Sequence, residues 1–258
     1  MRLMKRILSA AAVLALSASL LVGCSSGTAS SVPVSASSAA ESTVSSVEET
    51  ASSAVDENEA AAAQLLNDLT GSYQELWPVI LADEYKQTWL DDCTALVGED
   101  NAEAAFEKLS SMVTGDVYGE DAVKAYANGG GAYFCGFTNS LAILPFDGET
   151  STISGTDKDG NVLFSHTYHY IGMEPVRGLY EFQSDDADSG EFTYFFLAPD
   201  TSAETYHIEF RYGSDAEALS QYDTGEYAYW LASGISTDCD QTMIDNCIEL
   251  FCTENLAG

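Results

Sequence analysis

The stretch STISGTDKDGNVLFSHTYHYIG, Ser151–Gly172, alternates apolar and polar residues at a period of two. Its apolar positions are mostly β-branched or aromatic, as half-buried strands require. The alternation breaks at Asp157-Lys158-Asp159-Gly160-Asn161, where a glycine sits where a tight turn needs positive φ. The stretch therefore reads as two antiparallel strands. The same period recurs in AYFCGFTNSLAIL (Ala132–Leu144), RGLYEFQS (Arg177–Ser184), GEFTYFFLAP (Gly190–Pro199) and ETYHIEFRYG (Glu204–Gly213). Strands this short and this closely spaced predict a small barrel, or a sheet closed on itself.

The flanks follow a different period. Residues 62 to about 127 read as helical, with Gly71 and Pro78 as punctuation. Ala105, Leu109 and Met112 mark one helical stripe, and the glycines after Asn128 close a short helix. Near the C-terminus, Met243, Ile244, Cys247, Ile248 and Phe251 fall on one stripe, and Ser236 or Thr237 is expected to cap that helix. The fold class expected is mainly β with helices (α+β): an antiparallel barrel preceded by a helical segment and closed by a C-terminal helix.

The N-terminal end is expected to lie outside the fold. Arg2, Lys5 and Arg6 precede an apolar run from Ile7 to Val22, which ends in Leu21-Val22-Gly23-Cys24. The run is short for a membrane span and reads as a secretory leader over 1–23, with Cys24 as the lipidated cysteine of a bacterial lipoprotein. Residues 24–61 are mostly Ser, Ala, Thr, Val and Glu without an aromatic residue, which suits a flexible tether. One domain, 62–258, follows. The expected location is the extracytoplasmic face of the cell membrane, held by lipid.

Charge narrows the function classes. The 258 residues carry a formal net charge of −32, and removing the leader leaves six basic residues against 41 acidic ones. Phosphate backbones are repelled by such a surface, whereas cations are concentrated near it. Five cysteines remain beyond Cys24, an odd number without a C-x-x-C spacing, so a structural zinc cluster is not indicated. Cys247 and Cys252 are five apart on a helix and are poor mutual partners. Nucleophile elbow, phosphate loop and HExxH motif are all missing from the sequence, so the chain does not read as an enzyme.

The candidate site is His207 and Glu209. Residues i and i+2 of a strand share a face, so the pair reads as a metal grip, a buried hydrogen-bonded pair or a polar strand face. His166 and His169, three apart, point to opposite faces and do not form one site with each other.

Two motifs carry a family resemblance. Leu66–Pro78, LNDLTGSYQELWP, contains the Gly-x-aromatic element (Gly71, Tyr73) that opens lipocalin-like (calycin-like) barrels. The second is YHYIG (Tyr168–Gly172) followed by RGLYEFQSDDADSGEFTYF (Arg177–Phe195). Together they resemble the ZinT (YodA) family of extracytoplasmic, lipocalin-like zinc-binding proteins. The resemblance implies a barrel that binds Zn2+ through a strand-end histidine and a His-x-His pair. His207 falls on the first histidine of the pair and Glu209 on the second; Asp200 falls on the strand-end histidine once two residues are deleted after it. The implied function is capture of zinc or another divalent cation at the cell envelope, with a metal importer as partner. The alternative is a barrel that has lost the metal and binds a small ligand or an envelope protein.

Overall fold

The computed structural model describes residues 57–126, 131–200 and 202–257. The leader reading, Cys24 and the tether up to residue 56 lie outside the described residues.

A first helix, α1, covers residues 57–68. Its Ala62, Leu65 and Leu66, with Leu69 just beyond, are buried at spacings of three and four against the barrel core. Eight strands then form a closed antiparallel barrel in simple sequence order, β1-β2-β3-β4-β5-β6-β7-β8. They are β1 Gly71–Glu75, β2 Leu144–Asp147, β3 Thr152–Thr156, β4 Val162–Met173, β5 Tyr180–Ser184, β6 Tyr194–Leu197, β7 Ile208–Gly213 and β8 Ala232–Ser236. Closure occurs where β1 meets β8, with Tyr73 opposite Ser236 and Glu75 opposite Gly234. The hairpin read from Ser151–Gly172 is β3–β4. Its Asp157 carboxylate accepts from the Asp159 and Asn161 amides and from the Asn161 side chain, and Gly160 has φ +82°.

Aromatic rings in mutual contact fill the barrel axis. Phe195 stacks on Tyr212 at 5.3 Å, Phe164 lies 5.9 Å from Phe195, Phe137 packs edge-on against Phe210, and Tyr73 packs edge-on against Phe146. The alternation of the strands sends the opposite set of residues outward, where Ile235 of β8 joins a second core. That core is built by α2 (Leu76–Ile80), α3 (Lys86–Val97), α4 (Glu99–Val113) and α8 (Gln241–Leu256). Trp89 of α3 is fully buried there and donates its Nε1 hydrogen to the Ile80 carbonyl at 2.7 Å. Three further short helices, α5 (Glu120–Tyr126), α6 (Ser202–Thr205) and α7 (Ala216–Leu219), lie in the connections.

Several local expectations are corrected. The helical reading of 62–127 is interrupted by β1, because Gly71 adopts φ +149° and Gly71–Tyr73 pair with β2. Non-local ladder bonds here override local helical tendency. Ala132–Leu144 contributes a strand only at its last residue; before it, Phe134 and Ile143 make isolated bridges. The Phe134 amide bonds to the Tyr229 carbonyl, Asn139 and Ser140 adopt φ of 54° and 62°, and the Thr138 amide donates to the Tyr212 hydroxyl. An extended strand is incompatible with those bonds. The strand expected from Glu204 starts at Ile208, because residues 202–205 form α6. The last helix is capped by Asp240, whose carboxylate accepts from the Met243 amide at 2.9 Å. Ser236 is used by β8 and the Thr237 amide by the Ser72 carbonyl, so neither serves as the cap.

The connection from β2 to β3 runs directly beneath α1. A Cβ at Gly148 would lie 2.3 Å from the Asn67 Cα and 2.5 Å from the Leu66 carbonyl oxygen. Backbone cannot yield as a side chain can, so Gly148→Ala should lower the stability of the fold by about 1–3 kcal/mol. Denaturant unfolding checks this: an unchanged midpoint would mean that α1 does not press on the hairpin.

Candidate metal-binding site

His207 immediately precedes β7, at the end of a turn in which Tyr206 adopts φ +65°. Left-handed backbone is costly for a bulky residue and is retained where surrounding contacts fix it. Here the Thr205 hydroxyl donates to the His207 carbonyl at 2.8 Å, and the His207 Nδ1 lies 2.7 Å from the Thr205 carbonyl oxygen. A carbonyl only accepts, so Nδ1 carries the hydrogen. The lone pair of the neutral ring is therefore on Nε2, the arrangement in which a second hydrogen bond orients an imidazole for ligation.

Nε2 faces Glu209. The His207 Nε2 to Glu209 Oε1 distance is 4.0 Å, with the histidine side chain 18% and the glutamate side chain 40% exposed. Glu209 lies opposite Ser233 of β8. It alternates with Ile208 and Phe210, which enter the barrel core, and so projects to the outer face. The pair thus sits together although only Glu209 belongs to the strand.

Asp200 follows β6 and is exposed. Its carboxyl is raised above the ordinary value by loss of water, then by Glu204, while His207 pulls it back down. Glu254, on α8, shows the same signature: burial raises it, His207 lowers it, and Glu209 and Asp200 raise it further. The four groups therefore sense one another across three chain segments. Sequence reasoning missed Glu254. It reads as a polar residue off the apolar stripe of the last helix and is exposed; its only signal is that it lies seven residues, about two turns, beyond Cys247.

Two thiols adjoin the site. The Cys247 Sγ is 3.9 Å from the His207 Nδ1, and burial, with Glu254, Cys239 and Glu209 nearby, pushes this thiol up to about 12. Cys135 is likewise pushed up to about 12, by burial and then by Glu209. Both thiols hold their protons at neutral pH without a metal, and a metal would have to displace that proton to use either sulfur.

Among the described residues, no three His, Cys, Asp or Glu side chains converge on one metal-sized point. The donor chemistry nevertheless fits a divalent cation. Zinc–nitrogen and zinc–oxygen bonds of about 2.0–2.2 Å at a tetrahedral angle hold two donors about 3.4 Å apart. The His207–Glu209 separation of 4.0 Å reaches that with a small side-chain rotation. Asp200 and Glu254, both exposed, are the carboxylates within electrostatic reach to complete the set.

The other histidines are held elsewhere. His166 stacks on Phe164 and bonds through Nδ1 to Asp186 at 2.6 Å, whereas the exposed His169 bonds through Nδ1 to Asp185 at 2.6 Å. A separate groove of about 320 Å³ is lined by Trp77, Pro78, Leu81, Val113, Phe134 and Cys135, among others. The Trp77 Nε1 is buried without a hydrogen-bond partner.

No family model matches the chain, and no curated protein matches it. Among solved structures, the chain is similar to the Zn(II)-bound ZinT-like domain of Streptococcus pneumoniae AdcA, at 15% identity and a TM-score of 0.45, over 72% of this chain and 89% of that one. It is also similar to Zn(II)-bound AdcA from the same organism, at 15% identity and a TM-score of 0.42, over 70% of this chain and 34% of that one.

The raised carboxyls set a sign for the metal-free protein. A carboxyl whose pKa is raised on folding supports the fold below its unfolded pKa, and that support is lost as pH rises through its folded pKa. Asp200→Asn and Glu254→Gln should therefore raise the melting temperature of the metal-free chain near neutral pH and flatten its pH dependence in the range just above the ordinary carboxylate value. Melting curves across that range test it. A lower melting temperature in either variant would show that its carboxylate stabilises the fold.

Proposed function

We propose that the chain is a ZinT-like, lipid-anchored protein that captures a divalent cation, zinc first, at the extracytoplasmic face of the cell membrane. The observation that carries this reading is the Nδ1–H bond of His207 to the Thr205 carbonyl, which leaves Nε2 facing the Glu209 carboxylate. His207 and Glu209 would hold the ion, Asp200 and Glu254 would complete the oxygen donors, and Cys24 would carry the lipid. In this reading the ion is cargo, and an importer is the partner that receives it.

One imidazole with carboxylates is a harder donor set than three imidazoles. It weakens the preference for zinc and admits manganese or calcium more readily. The carboxylates also balance a doubly charged ion. Protons compete for the same lone pairs, and because the Asp200 and Glu254 carboxyls are raised, competition begins at a higher pH than for ordinary carboxylates.

The groove beside Trp77 supports a second reading, in which a small apolar ligand occupies it. In this second reading the ligand would sit outside the barrel, whose axis is filled by aromatic rings.

Calorimetric titration of the metal-stripped protein with zinc, beside a His207→Ala variant, separates the readings. Saturable one-site binding is expected, weakened by about 100-fold or more in the variant, and weakening further as pH falls. Manganese and calcium titrations then rank the ions. Weak, non-saturating uptake that is unchanged in His207→Ala would leave the groove as the working site.

A further inference from the structure

Cys93 of α3 and Cys252 of α8 face each other inside the helical core. Their sulfur atoms are 3.9 Å apart, in van der Waals contact, and both residues are fully buried. The other thiols are engaged differently: Cys247 lies against His207, Cys135 is buried beside Ser233 and Trp77, and Cys239 is half-buried ahead of α8. Two buried thiols in contact can act merely as small apolar fillers. Here, however, they join two helices that are distant in sequence and meet along much of the core, α3 from the front of the chain and α8 from its end.

We propose that Cys93 and Cys252 form a specific disulfide when the chain folds in the presence of a disulfide oxidant. The sulfur atoms must approach to about 2.05 Å, a shift within reach of side-chain rotation on helices that already touch. The step balances by exchange. The Cys93 thiolate attacks an external disulfide, forming a mixed disulfide and releasing one thiol. The Cys252 thiolate then attacks the Cys93 sulfur and releases the second thiol. Two protein S–H bonds are lost, one S–S bond is gained, and the external disulfide is reduced to two thiols. Neither sulfur is accessible in the folded state, so exchange precedes the docking of α8 or requires its opening. Once made, the bond closes a loop between residues 159 apart and is shielded from reductant by the same burial.

The bond has a structural consequence for α8. That helix carries Cys247 and Glu254 and packs chiefly on α3, so a covalent tie at Cys252 fixes its position against α3. This does not depend on whether a metal is bound.

The test uses the full chain. It is unfolded with reductant, refolded in a mixture of glutathione and glutathione disulfide, unfolded again with an alkylating reagent and mapped by mass spectrometry without reduction. The expected result is a Cys93 peptide joined to a Cys252 peptide, about 2 Da lighter than the two thiol peptides together, with Cys135, Cys239 and Cys247 alkylated. The melting temperature should fall by about 5–15 °C on reduction. A Cys93→Ala/Cys252→Ala chain should show no response to reductant. Cys93 and Cys252 both alkylated after refolding, or a link through any other cysteine, would overturn the proposal. The map is made on the unaltered sequence, so a failure of the variant to fold does not affect it.

Discussion

The fold hangs on the pairing of β1 with β8. Five residues, Gly71–Glu75, lie between two helices and close a barrel whose other strands begin about 70 residues later. Without that pairing, β2 and β8 are open edges with unsatisfied backbone groups. With it, the inner faces share one aromatic core and Ile235 on the outer face of β8 becomes a floor for the helices. Gly71, at φ +149°, lets the chain turn out of α1 and into the sheet. Tyr73, two residues on, lands inside against Phe146. The Gly-x-aromatic element thus has a mechanical reason: the glycine sets the entry and the ring fixes the register.

Closure also explains where the candidate site sits. Glu209 is an outward residue of β7, and its cross-strand neighbour Ser233 is buried beneath the loop that carries Cys135. Helix α8 crosses the same region, placing Cys247 beside His207 and Glu254 near Asp200 and Glu209. The groups come from the end of β6, the start of β7 and the last turns of α8. Only a closed barrel with a helical layer on this side brings those three together.

The barrel was legible in the sequence because its middle strands, from Thr152 to Gly213, are rich in aromatic and β-branched residues at period two. Its two closing strands were not. β1 is embedded in a helical pattern, and β8, Ala-Ser-Gly-Ile-Ser, has one large apolar residue and owes its extension to partners on both sides. His207 and Glu209 were found through strand periodicity, although His207 stands outside the strand. Their proximity survives because the first residue of β7, Ile208, already directs Glu209 outward and the turn at Tyr206 delivers His207 to the same side. Glu254 is separated from them by more than forty residues, and only the packing of α8 reveals it.

The positive charge of the described residues is placed away from the acidic groups near His207. Arg211 is two residues along β7 from Glu209, on the same outward set, yet it does not neutralise it. Its guanidinium is fully buried, donates to the Leu219, Gln221 and Tyr227 carbonyls and lies 4.4 Å from the Tyr222 ring. Burial pushes it down to about 10, still charged at neutral pH. Arg177 is drawn to the same ring at 4.2 Å, beside the buried Glu174. Lys86, Lys124 and Lys158 pair on the surface with Glu103, Asp121 and Asp159, and Lys108 is exposed on α4. Such exposed pairs contribute little to stability, but they show where the scarce cations are spent. Asp200, Glu209 and Glu254 are left with one imidazole among them; loss of water is the main cause that raises the Asp200 and Glu254 carboxyls, with Glu204 adding to the first and Glu209 and Asp200 to the second, while His207 lowers both. In the proposed function a divalent cation at Nε2 of His207 would add positive charge among these carboxylates and use the lone pair that the Thr205 carbonyl has oriented, so the electrostatic and geometric arguments for that proposal meet at one atom.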